Sequence, residues 1–215
     1  MTNFSTSIYQ VVTTALNDLD KAQSNGKIPR NPLSETHFLA AWTTNSMKKK
    51  RFESDVLPTL KIWQRKARSL GKNAALVSTF NAIKASYEHV FDQNLQPKAV
   101  TKNQVIELCD QLSALDWMVN TDLEVGDKLN RHSGGKASLI ICTNEFNDNF
   151  EDNILQKPIS LYIRGELPQA LEIALSQSLL LHKVTEYKSK VKYHGEYLIF
   201  ANNNGDFLPE LVADN

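Results

Sequence analysis

Over its first hundred residues the chain repeats apolar positions at the spacing of one helix face after another. Ile8, Val11, Val12, Ala15, Leu16 and Leu19 recur at alternating steps of three and one, which puts them on one stripe of a 3.6-residue period. The spacing predicts a helix capped by Ser5 that stops near Asn25-Gly26. Asn31-Pro32 predicts a second helix, with Asn as cap, Pro in the first turn, and Phe38, Ala41 and Trp42 inward. A third follows Phe52, capped by Ser54 or Asp55, with Pro58 tolerable only in the first turn and Gly71 as the stop. Its Val56, Leu60, Trp63, Ala67 and Leu70 form the apolar stripe. Asn73 is expected to cap a fourth helix, lined by Val77, Phe80, Ile83, Tyr87 and Phe91. Asp92 to Lys98, with Pro97, reads as a linker. Thr101 and Gln104 then form a capping box for a fifth helix, with Val105, Leu108, Cys109, Leu112 and Leu115 inward.

After Asp116 the period shortens. Trp117 to Val125, Leu129 to His132, Ser138 to Thr143, Ile159 to Ile163 and Tyr197 to Ala201 read as strands. Gly126-Asp127, Ser133-Gly134-Gly135 and Asn202 to Asp206 read as turns, the second of them as a hairpin. Asn144 to Lys157 is acidic and Asn-rich, hence a loop. Leu167-Pro168 opens a helix expected to run to about Lys183, with Leu171, Ala174, Leu175, Leu179 and His182 on one face. The order predicts an α+β protein. An N-terminal helical region, residues 1–95, precedes an α+β region, residues 99–215, in which a small antiparallel sheet packs with one or two helices.

Composition sharpens this picture. Of 215 residues, 41% are hydrophobic and 22% charged, the balance of a chain that builds a core. No apolar run approaches the roughly 20 residues of a membrane helix, and Met1 to Val12 lacks the basic and apolar regions of a signal peptide. Two cysteines, Cys109 and Cys142, make no disulfide framework. The expectation is a soluble, reduced, cytoplasmic protein with no membrane partner.

The zero net charge hides a polarity. Residues 1–100 hold 14 basic and 7 acidic residues, and residues 101–215 hold 10 and 17. Nine of the basic residues fall between Lys48 and Lys72. Lys61, Arg65, Arg68 and Lys72 form a stripe about 150° around the third helix from its apolar face, with Lys48 to Arg51 just upstream. Such a face can meet the phosphates of a nucleic acid or an acidic protein. It is equally the solvated face of an ordinary helix.

Other chemistry is sparse. Gly134-Gly135-Lys136 is not a phosphate loop, since position 130 is Asn, position 137 is Ala, and a strand follows. No two of His37, His89, His132, His182 and His194 stand at metal-binding spacing, so no metal and no cofactor is expected. Both cysteines sit in apolar periodic positions and read as core. The segment His182 to Tyr197, HKVTEYKSKVKYHGEY, is dense in titratable groups. Read as a site, it offers His194 as the acid–base group, Glu196 as its orienter, and Lys188 or Lys190 for an anion, with His182 a further catalytic candidate. Read as structure, it is a strand or edge loop whose lysines guard a sheet edge.

NPLSETHFLAAW (Asn31 to Trp42), SLGKNA (Ser69 to Ala74) and LLLHKVTEYKSKVKYHGEYLIF (Leu179 to Phe200) carry a resemblance over nearly the whole chain. They resemble a bacterial family defined by a domain of unknown function. The resemblance implies a cytosolic bacterial protein and transfers no catalytic residue. The leading expectation is a non-enzymatic binding or accessory protein that uses the basic helix face. The alternative is an enzyme or small-molecule binder with its site around His182 to Glu196. Oligomeric state is not legible in the sequence.

Overall fold

The computed structural model describes residues 3–131, 133–186 and 188–212. His132, the expected end of a strand, and Tyr187, part of the polar segment, lie outside the described residues. The chain divides into two compact units, one up to Glu88 and one from His89 onward.

The first unit is helical: α1 (Phe4–Ser24), α2 (Pro32–Lys48), α3 (Leu57–Leu70) and all but the last two residues of α4 (Leu76–Val90). α1 starts earlier than Ser5, because Asn3 caps it by accepting from the Thr6 N–H at 2.8 Å. Ser5 is buried inside the first turn. Asn31 caps α2 as expected, accepting from the Ser34 N–H at 3.0 Å. The packed face of α2 is Thr36, Leu39, Trp42, Thr43 and Ser46, with Ala41 exposed and Phe38 half-buried. That face is rich in hydroxyls, so an apolar pattern cannot find it. A 3₁₀ turn, Ser54–Val56, precedes α3, and no side chain caps it. Val56, Leu60, Trp63 and Ala67 are buried, while Leu70, in the last turn, is 48% exposed. Asn73 sits in a 3₁₀ turn, Gly71–Ala74, and does not cap α4.

The second unit contains α5 (Lys102–Ala114), β1 (Met118–Leu123), β2 (Ser138–Cys142), α6 (Thr143–Asp148), β3 (Phe150–Glu151), β4 (Ile154–Leu155), β5 (Ile159–Arg164), α7 (Leu167–Ser176), β6 (His182–Thr185) and β7 (Gly195–Ile199). The fold is α+β. β2, β5, β7 and β6 pair antiparallel in that order, and β1 joins the β2 edge in parallel. The Ser133-Gly134-Gly135 turn therefore closes no hairpin. A second, two-stranded sheet pairs β3 with β4. With α6 it occupies the Asn-rich stretch expected to be a loop.

Alternation along the strands sorts the side chains of the five-stranded sheet. Leu139, Ile141, Leu161, Ile163, Tyr197 and Ile199 pack with Leu108 and Leu112 of α5 and Leu171 and Ala174 of α7. On the other face Ile140, Cys142 and Tyr162 cluster with Val125 and Val191. The Thr101–Gln104 capping box is present, and Leu115, just past α5, is 51% exposed rather than inward.

α7 stops well before Lys183. Ser178 takes a left-handed φ of 57°. Its N–H bonds the Leu175 carbonyl and the Leu179 N–H bonds the Ala174 carbonyl, both at 2.8 Å. This is the Schellman arrangement, with Ser where Gly is usual. Buried Asn203 then holds the chain extended, accepting from the Leu180 N–H and donating to the Ser178 carbonyl, each at 2.9 Å. Leu179 and His182 are thus not on the face of α7. Among the described residues no helix is long and apolar enough to cross a membrane.

Candidate functional site

A pocket of about 1000 Å³ opens in the second unit. Residues from three stretches of chain line it: Lys128 to Asn130, Ile163 to Gly165 with Leu167, and, between Lys183 and Tyr197, chiefly the polar residues Glu186, Lys188 to Lys190, Lys192 and Tyr193. Each has a local reason to be there. Arg164 ends β5, and Gly165 turns the chain into α7 at φ 115°, where a side chain would strike Ala137. Leu129 bridges to Val191 in parallel: its N–H bonds the Lys190 carbonyl, and the Lys192 N–H bonds its carbonyl, both at 2.9 Å.

The lining is selective in charge. Six of the ten basic residues after position 100 line it: Lys128, Arg164, Lys183, Lys188, Lys190 and Lys192. Of the acidic residues described in the same stretch, only Glu186 does, paired with Lys183 at 3.2 Å. Leu129, Ile163, Leu167 and Tyr197 add apolar surface.

His194 lies beneath this lining, between Tyr193 and Gly195, and is 1% exposed. Its Nδ1 stands 2.9 Å from the Lys192 carbonyl and its Nε2 stands 2.8 Å from the Ser138 hydroxyl. A carbonyl only accepts, so Nδ1 carries the proton and Nε2 accepts from Ser138. Burial holds the imidazole below its usual range, with the Arg164 charge adding to the effect and the Lys192 carbonyl opposing it. The Ser189 hydroxyl stands 2.7 Å from both the Val191 and the His194 carbonyls, which share its one proton. These bonds brace the lysine loop from inside.

Glu196 does not orient His194, whose ring bonds are those to Ser138 and Lys192. Burial raises the Glu196 carboxyl above its usual range, Lys190 pulls it back, and Glu145 adds to the rise. His182 is 0% exposed, edge-on to Phe200 and Phe207 at 5.0 and 5.4 Å, and donates from Nδ1 to the Phe207 carbonyl at 2.8 Å. A side chain at Gly205 would collide with this ring. His182 therefore tethers the segment after β7 and does not reach the pocket. Lys188 and Lys190, expected to meet an anion, do line it, whereas Lys128 and Arg164 come from segments with no warning pattern. The closest signal is a cation set beside a glycine: Arg164-Gly165, and Lys128 just past Gly126.

Lys61, Arg65, Arg68 and Lys72 are all exposed on the first unit, and none is in an ion pair among the described residues. Arg51 is tied up, bonding Asp18 at 3.2 Å and lying over the Trp42 ring at 5.3 Å. The cysteines are buried and unpaired, and burial, with Asp110 beside it, pushes the Cys109 thiol up to about 12. Neither is placed as a nucleophile.

A family model described as "Protein of unknown function (DUF2913)" matches residues 3–212. The chain belongs to this family. No curated protein and no solved structure matches it. Family membership thus brings no reaction, and the residues themselves carry the functional argument.

Proposed function

We propose that this DUF2913 protein is a bacterial cytoplasmic binding protein whose second unit takes up a multiply charged anionic ligand. One observation carries the reading: in a half of the chain with seven more acidic than basic residues, six cations and one carboxylate line a single pocket. Gathered like charges repel, and a loop that only closed a sheet edge would have no reason to bring Lys188, Lys190 and Lys192 beside Lys128, Arg164 and Lys183. A bound anion offsets that repulsion. Leu167 is the first residue of α7, so the positive end of the helix dipole lies at the same lining. The function is binding rather than catalysis, because His194 is buried with both ring nitrogens engaged.

The test is calorimetric titration of the whole protein with pyrophosphate at low salt. Arg164→Ala and Lys192→Ala should each weaken binding by roughly 10- to 100-fold, the range for losing a charged hydrogen bond. Binding absent in the native protein, or indifferent to both changes, would rule the reading out.

A second reading rests on the α3 face. Its four exposed cations have no acidic partners among the described residues, and contact with nucleic-acid phosphates or an acidic protein would supply them.

A further inference from the structure

Tyr193 is the most exposed large hydrophobic residue among those described, at 65%, and it lines the pocket. Its backbone has a left-handed φ of 68°, a conformation a bulky aromatic residue adopts only when its surroundings impose it. Here they do. The carbonyls on both sides of it are held, that of Lys192 by the His194 ring at 2.9 Å and that of His194 by Ser189 at 2.7 Å. The buried His194 ring and the half-buried Ser189 hydroxyl thus fix the backbone so that a large ring stands in solvent at the rim of a cavity. A sheet-edge loop gains nothing from this, since a ring left in water forgoes the burial that stabilises aromatic side chains.

The neighbours of the ring point to its use. The Lys192 ammonium lies 4.7 Å from the ring centroid and the Arg164 guanidinium 5.8 Å. With both in place, most of the residue is still open. A flat π surface beside converging cations matches a ligand with a flat ring at one end and phosphates at the other. The pocket, at about 1000 Å³, stands at the upper end of small-ligand sites and exceeds what a bare phosphate needs. We infer that the ligand is a nucleoside di- or triphosphate, its base stacked on Tyr193 and its phosphates held by Arg164 and the lysines of the loop. The inference rests on the anion-binding reading above and adds the aromatic half of the ligand to it. A pocket built from three short stretches of one unit favours a free nucleotide over a nucleic-acid strand.

The experiment titrates the whole protein with ADP, ATP, pyrophosphate and tripolyphosphate, without divalent metal. ADP and ATP should bind about 5- to 100-fold more tightly than the matching inorganic anion, the span stacking on an aromatic side chain supplies. Tyr193→Ala should remove that advantage, costing ADP and ATP more affinity than it costs the matching inorganic anion. Tyr193→Trp should retain or increase it. Because Tyr193 is exposed, neither variant threatens the fold, and circular dichroism checks this. If pyrophosphate and ADP bind equally and Tyr193→Ala changes nothing, the nucleotide inference is wrong and the anion reading stands. If none of the four binds, both fall.

Discussion

Ser138 and His194 stand 56 residues apart in the chain and meet in a buried hydrogen bond of 2.8 Å. Ser138 opens β2 and His194 immediately precedes β7, strands that the sheet order separates by β5. Ser138 also sits opposite Arg164 in the β2–β5 register. The bond therefore spans the end of β5 and ties the lysine loop to the strand beside Arg164. Removing the hydroxyl leaves Nε2 a buried acceptor without a donor, which costs about 1–3 kcal/mol. Ser138→Ala should lower stability by that amount in denaturant melts and speed amide exchange at residues 190–194. Pyrophosphate affinity should fall with it, since the loop then orders only on binding. An unchanged midpoint and unchanged exchange would show that the pair braces nothing.

His182 makes stability depend on pH. Burial is the main cause that holds its imidazole down at about 4, against 6.5 in the unfolded chain, and the hydrogen bond to Phe207 opposes it only in part. The folded-state value is the lower one, so between these two values the unfolded chain binds the extra proton. This contribution to stability is complete above about pH 6.5, declines as pH falls through the window, and levels off below about pH 4. Its full size is about 3 kcal/mol, from about 1.4 kcal/mol per unit. His194, lowered in the same direction, adds to the slope. His182→Asn keeps a donor for the Phe207 carbonyl and removes the titration. Denaturant melts at pH 7.5 and pH 5 should therefore differ less in the variant than in the native protein. Equal pH slopes would show that His182 is not held neutral by burial.

These two histidines mark where the sequence stops being legible. The stripes of α1 and α3 can be read directly because Ile8, Val11, Val12, Ala15, Leu60, Trp63 and Ala67 are apolar and buried in register. The packing face of α2 cannot, since Thr36, Thr43 and Ser46 look like solvent-facing residues. The end of α7 is hidden because Ser178 adopts the conformation that Gly would have announced, and that places His182 on a strand instead of a helix. The pocket is half legible. Lys188, Lys190 and Lys192 lie in one visibly cationic run, while Lys128 and Arg164 reach it only through sheet topology. The role of Tyr193 is not legible at all, because exposure of an aromatic residue and a positive φ are facts of three dimensions.

Trp63 tests the core of the first unit. It is 3% exposed and its ring centroid lies 4.5 Å from that of Phe80 in α4. Trp63→Ala should cost about 3–5 kcal/mol, the usual result of truncating a buried aromatic residue. Trp63→Phe, which keeps a ring against Phe80, should cost less. The check is a pair of denaturant melts followed by circular dichroism. A loss below about 1 kcal/mol for the alanine variant would mean that the α3 face packs against nothing that matters to stability.

The cations of α3 give the sharpest test of the second functional reading. Lys61, Arg65, Arg68 and Lys72 are exposed, while Val56, Leu60, Trp63 and Ala67 of the other face are buried. Like charges spaced three or four residues apart destabilise a helix by a few tenths of a kcal/mol per pair. Reversing two of them should therefore leave the fold intact or slightly more stable. Arg65→Glu with Arg68→Glu should keep the native melting midpoint, because neither side chain faces the core. If all four residues meet phosphates of duplex DNA, log affinity should fall against log salt with a slope of about −3.6, from about −0.9 per contact. The double variant should then lose binding across the salt series. If the partner is an acidic protein, the same variant loses it with a shallower dependence. Fluorescence anisotropy with duplex DNA, single-stranded RNA and heparin reads these outcomes, and the pocket variant Arg164→Ala serves as the control that should not respond. Loss of DNA binding in Arg164→Ala, with the α3 double variant unaffected, would assign polyanion binding to the pocket and leave α3 as a solvated face.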